Sequence, residues 1–108
     1  MLEIVNALPP GSSSQFLQAH AARFRARLAA GQDDDVEAER LFRRAAGSFR
    51  EMSFPLYLGV TLLEHGEWLT GQGGAPAQPL LAEAGEIFVR LGAMPLLERV
   101  EQHSEAVA

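Results

Sequence analysis

Two stretches of this chain, residues 36–56 and 75–96, are copies of one pattern, and this duplication restricts the possible folds more than any other feature. Corresponding positions lie about 39 residues apart. A period of about 20–50 residues is typical of solenoids, in which each unit stacks on the next and buries an apolar face. The pairs are Ala38 and Ala77, Leu41 and Leu80, Phe42 and Leu81, Ala45 and Ala84, Phe49 and Phe88, Met52 and Leu91, followed by Pro55-Leu56 and Pro95-Leu96.

The first half of the chain predicts two helices. The first begins at a capping box, Ser12–Gln15, and ends near Gly31, with one apolar stripe at helical spacing. The second begins at a cap formed by Asp34 with Glu37, and its stripe is the first copy of the duplicated pattern. The stripe of the first helix consists of Leu17, Ala21, Phe24 and Leu28.

The second half predicts three more helices. The third runs from about Pro55 to Gly71 and is apolar over most of its circumference, which is typical of a helix with neighbours on both sides. The fourth begins near Pro79 and is capped by Gly92. The fifth begins at Pro95 and fades into polar residues, as a terminal capping helix does.

Together these elements predict an all-α fold, with antiparallel helix pairs stacked as a short α-solenoid of about two repeats plus a C-terminal capping helix. We expect the repeat domain to occupy residues 12–108. Its units are 12–54 and 55–94, and its capping helix is 95–108. Residues 1–11 are expected to be a partial helix and linker from a preceding repeat.

Composition excludes several classes of function. The chain has no cysteine and no lysine, so disulfides, thiolate metal sites and a Walker A phosphate loop are excluded. A net charge of −5 argues against binding nucleic acid through its phosphates. No apolar run is long enough to span a membrane, and the N-terminus does not resemble a signal peptide. We therefore expect a cytoplasmic protein without membrane or nucleic-acid partners.

Residues that could suggest catalysis have simpler interpretations. The glycine-rich segment 71–74 follows a helix rather than a strand and is better interpreted as a turn. His20, His65 and His103 are far apart in sequence, and none has a partner at metal-ligand spacing. We predict a protein that is not an enzyme and has no catalytic residue, metal or cofactor.

The arginines suggest a solvated, salt-bridged face rather than a nucleic-acid site. Arg40, Arg43 and Arg44 cluster on the second helix, but Glu37 is well placed to pair with Arg40 or Arg44.

The helix pairs resemble tetratricopeptide (TPR) repeats, in which an alanine, an aromatic residue and another alanine recur in the second helix at spacings of four and three. Two departures from the TPR pattern are the longer second helix and the leucine at the aromatic position of the second unit. The matching residues are Ala38, Phe42 and Ala45, and then Ala77, Leu81 and Ala84.

The TPR resemblance implies that the first helix of each unit lines a concave, partner-binding groove. On the third helix a polar and aromatic face recurs at helical spacing, and an offset near 41 gives its counterpart on the first helix. The alternative is that these side chains complete the packing between helices. The candidate groove residues are Tyr57, Thr61, Glu64 and Trp68, and Phe16, His20, Arg23 and Arg27.

A closer resemblance is to the C-terminal helical repeats of actinobacterial regulators that join an AAA-type ATPase or nucleotide-cyclase module to TPR-like repeats. It covers about Leu8 to Arg99 and brings no catalytic residue with it. The stretches that resemble this group are ARFRARLAA (Ala22–Ala30), SFREMSFP (Ser48–Pro55), LLEHGEWL (Leu62–Leu69) and PLLAEAGEIFVRLGAMPLLER (Pro79–Arg99).

These observations predict a non-catalytic interaction scaffold, the repeat part of a bacterial regulator. Its partner would be a protein or peptide, or another domain of the same regulator. We expect an exposed apolar end at the N-terminal side that a second copy covers, which gives a homodimer. The alternative is a piece of an ATP- or GTP-binding signalling regulator whose nucleotide site lies outside this chain.

Overall fold

Five α-helices make up most of the structure, a computed structural model that describes residues 10–72 and 77–107, with side chains over 15–72 and 77–103. No strand occurs within those ranges, so the prediction of an all-α fold is confirmed. The helices are α1 (Pro10–Gly31), α2 (Asp35–Glu51), α3 (Pro55–Gln72), α4 (Gln78–Leu91) and α5 (Met94–Val107).

The chain divides into two compact units, one that ends at Met52 and one that begins at Ser53. In the first unit α1 packs against α2, and in the second α4 packs against both α3 and α5, which also contact each other. The break follows from local chemistry. Ser53 adopts a positive φ of 58°, and Pro55 is the first residue of α3, where its missing N–H costs no hydrogen bond.

Helix α1 differs from its prediction at its start and in its buried face. It begins at Pro10, two residues before the predicted capping box, because a proline suits a first helical turn. The Leu and Phe stripe predicted from periodicity is exposed. Among the side chains of α1 that the structure describes, from residue 15 onward, the buried ones are instead four alanines at spacings of three and four, which allow a neighbouring helix to approach closely: Ala19, Ala22, Ala26 and Ala29.

Helix α2 begins where the sequence predicts. Asp34 is the N-cap residue, and its carboxylate accepts a hydrogen bond from the backbone N–H of Glu37 at 3.4 Å. Ion pairs connect side chains on the exposed face of α2: Arg40 contacts Glu37 at 2.8 Å, and Arg43 contacts Glu39. The predicted pairing of Glu37 with Arg40 is therefore confirmed.

Equivalent positions in the two copies of the duplicated sequence pattern are also buried in the structure. Four pairs of positions that are 39 residues apart are buried in both copies. Two of the predicted pairs break the match, because Leu80 is half-buried opposite the buried Leu41, and Met52 is half-buried while Leu91 is exposed. The pairs that are buried in both copies are Ala38 and Ala77, Phe42 and Leu81, Ala45 and Ala84, and Phe49 and Phe88.

Helices α3 and α4 meet at two glycines of α3. A Cβ atom on Gly59 would lie 2.8 Å from Cε1 of Phe88, and one on Gly66 would lie 2.8 Å from Cδ2 of Leu81. Both partner side chains are completely buried and belong to the duplicated pattern. The glycines therefore make room for the bulky residues of the neighbouring helix.

An ion-pair cluster fixes α5 to α3. Glu67 accepts two hydrogen bonds from Arg99, at 2.7 and 2.6 Å, and its Oε2 lies 2.9 Å from Nε2 of His103. At the start of this segment Gly92 caps α4 with φ 71°, which confirms the predicted cap, and α5 begins at Met94, one residue before the prediction.

Two predictions lie partly outside the described ranges. Residues 71 and 72 of the glycine-rich segment 71–74, predicted to be a turn, instead complete α3, and residues 73 and 74 are outside the described ranges. Of the partial helix and linker expected at 1–11, Pro10 and Gly11 belong to α1, and residues 1–9 are outside the described ranges.

Candidate partner-binding faces

The exposed side of α1 presents an apolar surface. Leu17, Phe24 and Leu28 are exposed by 43, 54 and 65%, and Ala21 between them is also exposed. At 100° per residue these four lie on one face, opposite the buried alanines. We call this face the α1 stripe. A shallow concavity has Phe24, Arg27 and Leu28 among its lining residues.

The first four candidate groove residues lie beside this stripe on α1. Phe16 and His20 are half-buried and pack edge-on, with ring centroids 4.5 Å apart, and the His20 ring lies 5.0 Å from that of Phe49 on α2. Arg23 is half-buried and lies over the Phe24 ring at 5.4 Å, a cation–π contact, whereas Arg27 is exposed. Phe16 and His20 thus hold the unit together while keeping part of their surface in solvent.

The environment of His20 disfavours its protonated form. Burial lowers the pKa of this histidine below its ordinary value of 6.5, and the nearby Arg23 guanidinium lowers it further. The neutral imidazole is therefore the form that fits against Phe16 and Phe49.

The other four candidate groove residues lie on α3. Thr61 is completely buried, and its hydroxyl donates a hydrogen bond to the carbonyl of Tyr57 at 2.7 Å. Trp68 is half-buried and stacks on buried His65, with ring centroids 6.0 Å apart. Tyr57 and Glu64 are half-buried. Thr61 has no exposed surface to offer a partner, so any contact on this face falls to Tyr57, Glu64 and Trp68.

The buried faces of α1 and α3 correspond at an offset of 40 rather than the predicted offset near 41. Each buried alanine of α1 has a buried counterpart on α3 at this offset, so the α3 face of Tyr57, Thr61, Glu64 and Trp68 corresponds to the α1 stripe. The buried pairs are Ala19 and Gly59, Ala22 and Leu62, Ala26 and Gly66, and Ala29 and Leu69.

A second surface, which sequence reasoning missed, is a groove of about 650 Å³ between α4 and α5. We call it the α4–α5 groove. Small residues on α4 leave it open, and the spacing of Ala82 and Gly85, which share one face of α4, is the signal that could have revealed it. We call its apolar lining residues Leu81, Ala82, Gly85, Leu97 and Val100 the floor, and its exposed lining residues Gln78, Glu86, Val89, Arg90 and Glu101 the margins.

Within the described ranges no three His, Cys, Asp or Glu residues form a group that could hold a metal ion. The chemistry available at these faces is apolar contact, aromatic packing and charge pairing.

Among the residues that the structure describes, no helix combines the length and the apolar character needed to cross a membrane. Comparisons with protein-family models, curated proteins and solved structures find no match to this chain.

Proposed function

We propose that this chain is a non-catalytic protein–protein interaction module, built from antiparallel helix pairs stacked as a short TPR-like α-solenoid. The proposal is supported by buried positions that repeat between the two units, both in the first helix and in the second helix of each pair. Buried positions recur at an offset of 39 between α2 and α4, and at an offset of 40 between α1 and α3. Two units with the same buried positions are what a repeat architecture requires.

The observation that supports an interaction role is the exposed α1 stripe. A run of leucine and phenylalanine on one exposed face of a helix marks a surface that binds another macromolecule. In the second unit the corresponding face is less exposed, since Thr61 is completely buried where Ala21 of α1 is exposed, and Tyr57, Glu64 and Trp68 are half-buried. The α1 stripe is thus the more exposed of the two faces, as a repeat surface without a stacked neighbour would be.

The partner that we propose is a protein, with a second copy of the chain as the occupant of the α1 stripe, which gives a homodimer. If the chain is the repeat part of an ATP- or GTP-binding regulator, another domain of that regulator is a further partner. Phe16, His20 and Trp68 supply the aromatic surface next to these contacts, and aromatic side chains are enriched at interfaces.

Sedimentation velocity at tens of micromolar tests this function. The double variant Phe24→Gln/Leu28→Gln removes two exposed apolar side chains, so we expect its helicity and thermal stability to match those of wild type. We expect wild type to sediment as a dimer and the variant as a monomer, because burial of the two apolar side chains drives association.

The matched control is Val36→Gln, which changes an apolar residue that is 83% exposed on α2. This variant is expected to remain a dimer. A wild-type chain that stays monomeric at these concentrations contradicts the homodimer, as does a Phe24→Gln/Leu28→Gln variant that dimerises like wild type.

A further inference from the structure

We propose that the α1 stripe of one copy docks in the α4–α5 groove of a second copy. This inference rests on the proposed function and adds the receiving surface to it. Both surfaces are present on every copy, so two copies that dock reciprocally form a closed homodimer without another protein.

The two surfaces match in polarity and shape. The stripe presents leucine and phenylalanine side chains from one exposed helix face. The groove floor is apolar, and the exposed Ala82 presents only a methyl group there. Gly85 allows α5 to approach α4 closely, since a Cβ at this position would lie 3.5 Å from Cγ1 of Val100. Bulky residues docking over small ones give the close packing of a helix in a groove.

The two surfaces also match in length. The stripe extends from Leu17 to Leu28, and the α4 side of the groove extends from Gln78 to Arg90. The two spans differ by one residue, and at the rise of an α-helix each is about 16–18 Å long. One helix face therefore covers the groove along its length.

The charges of the two surfaces are opposite. Helix α1 contains three arginines and no acidic residue, a net charge of +3. Helices α4 and α5 together contain five glutamates and two arginines, a net charge of −3. Arg25 and Arg27 flank the stripe on its two sides, and Glu86 and Glu101 lie at the groove margins, where Arg90 is a basic residue. Complementary charges of this kind select the partner surface.

The same charges argue against the simpler dimer in which two α1 stripes face each other. Such a pair would bring the six arginines of two α1 helices together, with Glu37 of α2 near Arg25 in each copy. Like charges held in contact at an interface oppose association. Docking of the α1 stripe in the α4–α5 groove instead brings the arginines of α1 near the glutamates of α4 and α5, which attract them.

Charge reversal on each surface tests the inference. One variant is Arg25→Glu/Arg27→Glu and the other is Glu86→Arg/Glu101→Arg, all at exposed positions. We expect each variant alone to retain its helicity. Sedimentation equilibrium is expected to show self-association weaker than that of wild type by about tenfold or more. A mixture of the two is expected to regain association, because its surfaces again carry opposite charges.

The matched control is Glu51→Arg/Glu98→Arg, which raises the net charge by the same amount as Glu86→Arg/Glu101→Arg, at exposed positions outside both surfaces. It is expected to associate like wild type. Loss of association in this control as well would overturn the inference, because net charge rather than the docking of α1 would then control assembly.

Two other outcomes separate this inference from the proposed function. If Phe24→Gln/Leu28→Gln is monomeric while Glu86→Arg/Glu101→Arg associates like wild type, the α1 stripe binds a copy elsewhere, and only the receiving groove is wrong. If wild type does not associate, the homodimer and this inference both fail.

Discussion

At the scale of single residues, size decides which faces are buried. Alanine periodicity in α1 and the glycines of α3 identify the closely packed faces, and these signals are visible in the sequence. Hydrophobicity alone points to the wrong face of α1, because Leu17 and Phe24 are more apolar than Ala19 or Ala22. The small residues are buried because they allow the helices to approach each other closely. The spacing of large apolar side chains gives no information about this requirement.

The lowered pKa of His20 predicts how stability responds to pH. Because the unfolded chain binds a proton at higher pH than the folded one, the contribution of His20 is complete above 6.5 and is lost as pH falls below that value. We expect chemical denaturation to show a steeper loss of unfolding free energy on acidification for wild type than for His20→Phe, which keeps an aromatic ring against Phe16 and Phe49.

The prediction concerns the difference between the pH profiles of the unfolding free energy for wild type and His20→Phe. Contributions from the titration of other groups cancel in that difference. Parallel profiles for wild type and His20→Phe from pH 7.5 down to about 5.5 would show that His20 titrates alike in the folded and unfolded states.

At the scale of helices, the duplicated pattern is the most reliable guide to the fold. Because three of the four pairs that are buried in both copies are identical residues, and the fourth pairs Phe42 with Leu81, the sequence alone predicts this buried face. The caps at Asp34 and Gly92 were predictable because their chemistry is local. The α4–α5 groove was not, since it depends on how closely two helices pack at Gly85 and Val100.

Close approach of α3 and α4 predicts opposite effects for two glycine substitutions. Gly59→Ala places a Cβ 2.8 Å from the completely buried Phe88 ring. We expect this overpacking to lower the free energy of unfolding by about 1–3 kcal/mol, offset in part by the higher helix propensity of alanine. Urea denaturation followed by circular dichroism measures the change.

The control is Gly47→Ala in α2, where an added Cβ meets nothing within 4 Å. Helix propensity alone then applies, and stability is expected to rise by about 0.5–1 kcal/mol. Equal effects of the two substitutions would mean that α3 and α4 do not meet at Gly59.

At the scale of the whole molecule, charge is distributed unevenly along the chain. The segment that ends at Met52 contains seven acidic residues and seven arginines, whereas the segment that begins at Ser53 contains seven acidic residues and two arginines. The entire net charge of −5 therefore belongs to the second segment. This asymmetry is visible in the sequence, but the proposed docking of the α1 stripe in the α4–α5 groove also depends on the exposure of each surface, which only the structure supplies.

Site-specific photo-cross-linking tests the central claim, that the α1 stripe binds another copy of the chain, most directly. Phe24, which is 54% exposed, is replaced by p-benzoylphenylalanine, and Val36 on α2 receives the same replacement as a control. Irradiation at tens of micromolar is expected to give a product of twice the chain mass from the Phe24 position, with its cross-link in α4 or α5, and none from Val36. A Phe24 sample that remains at the mass of one chain, or that matches the Val36 control, would contradict the account.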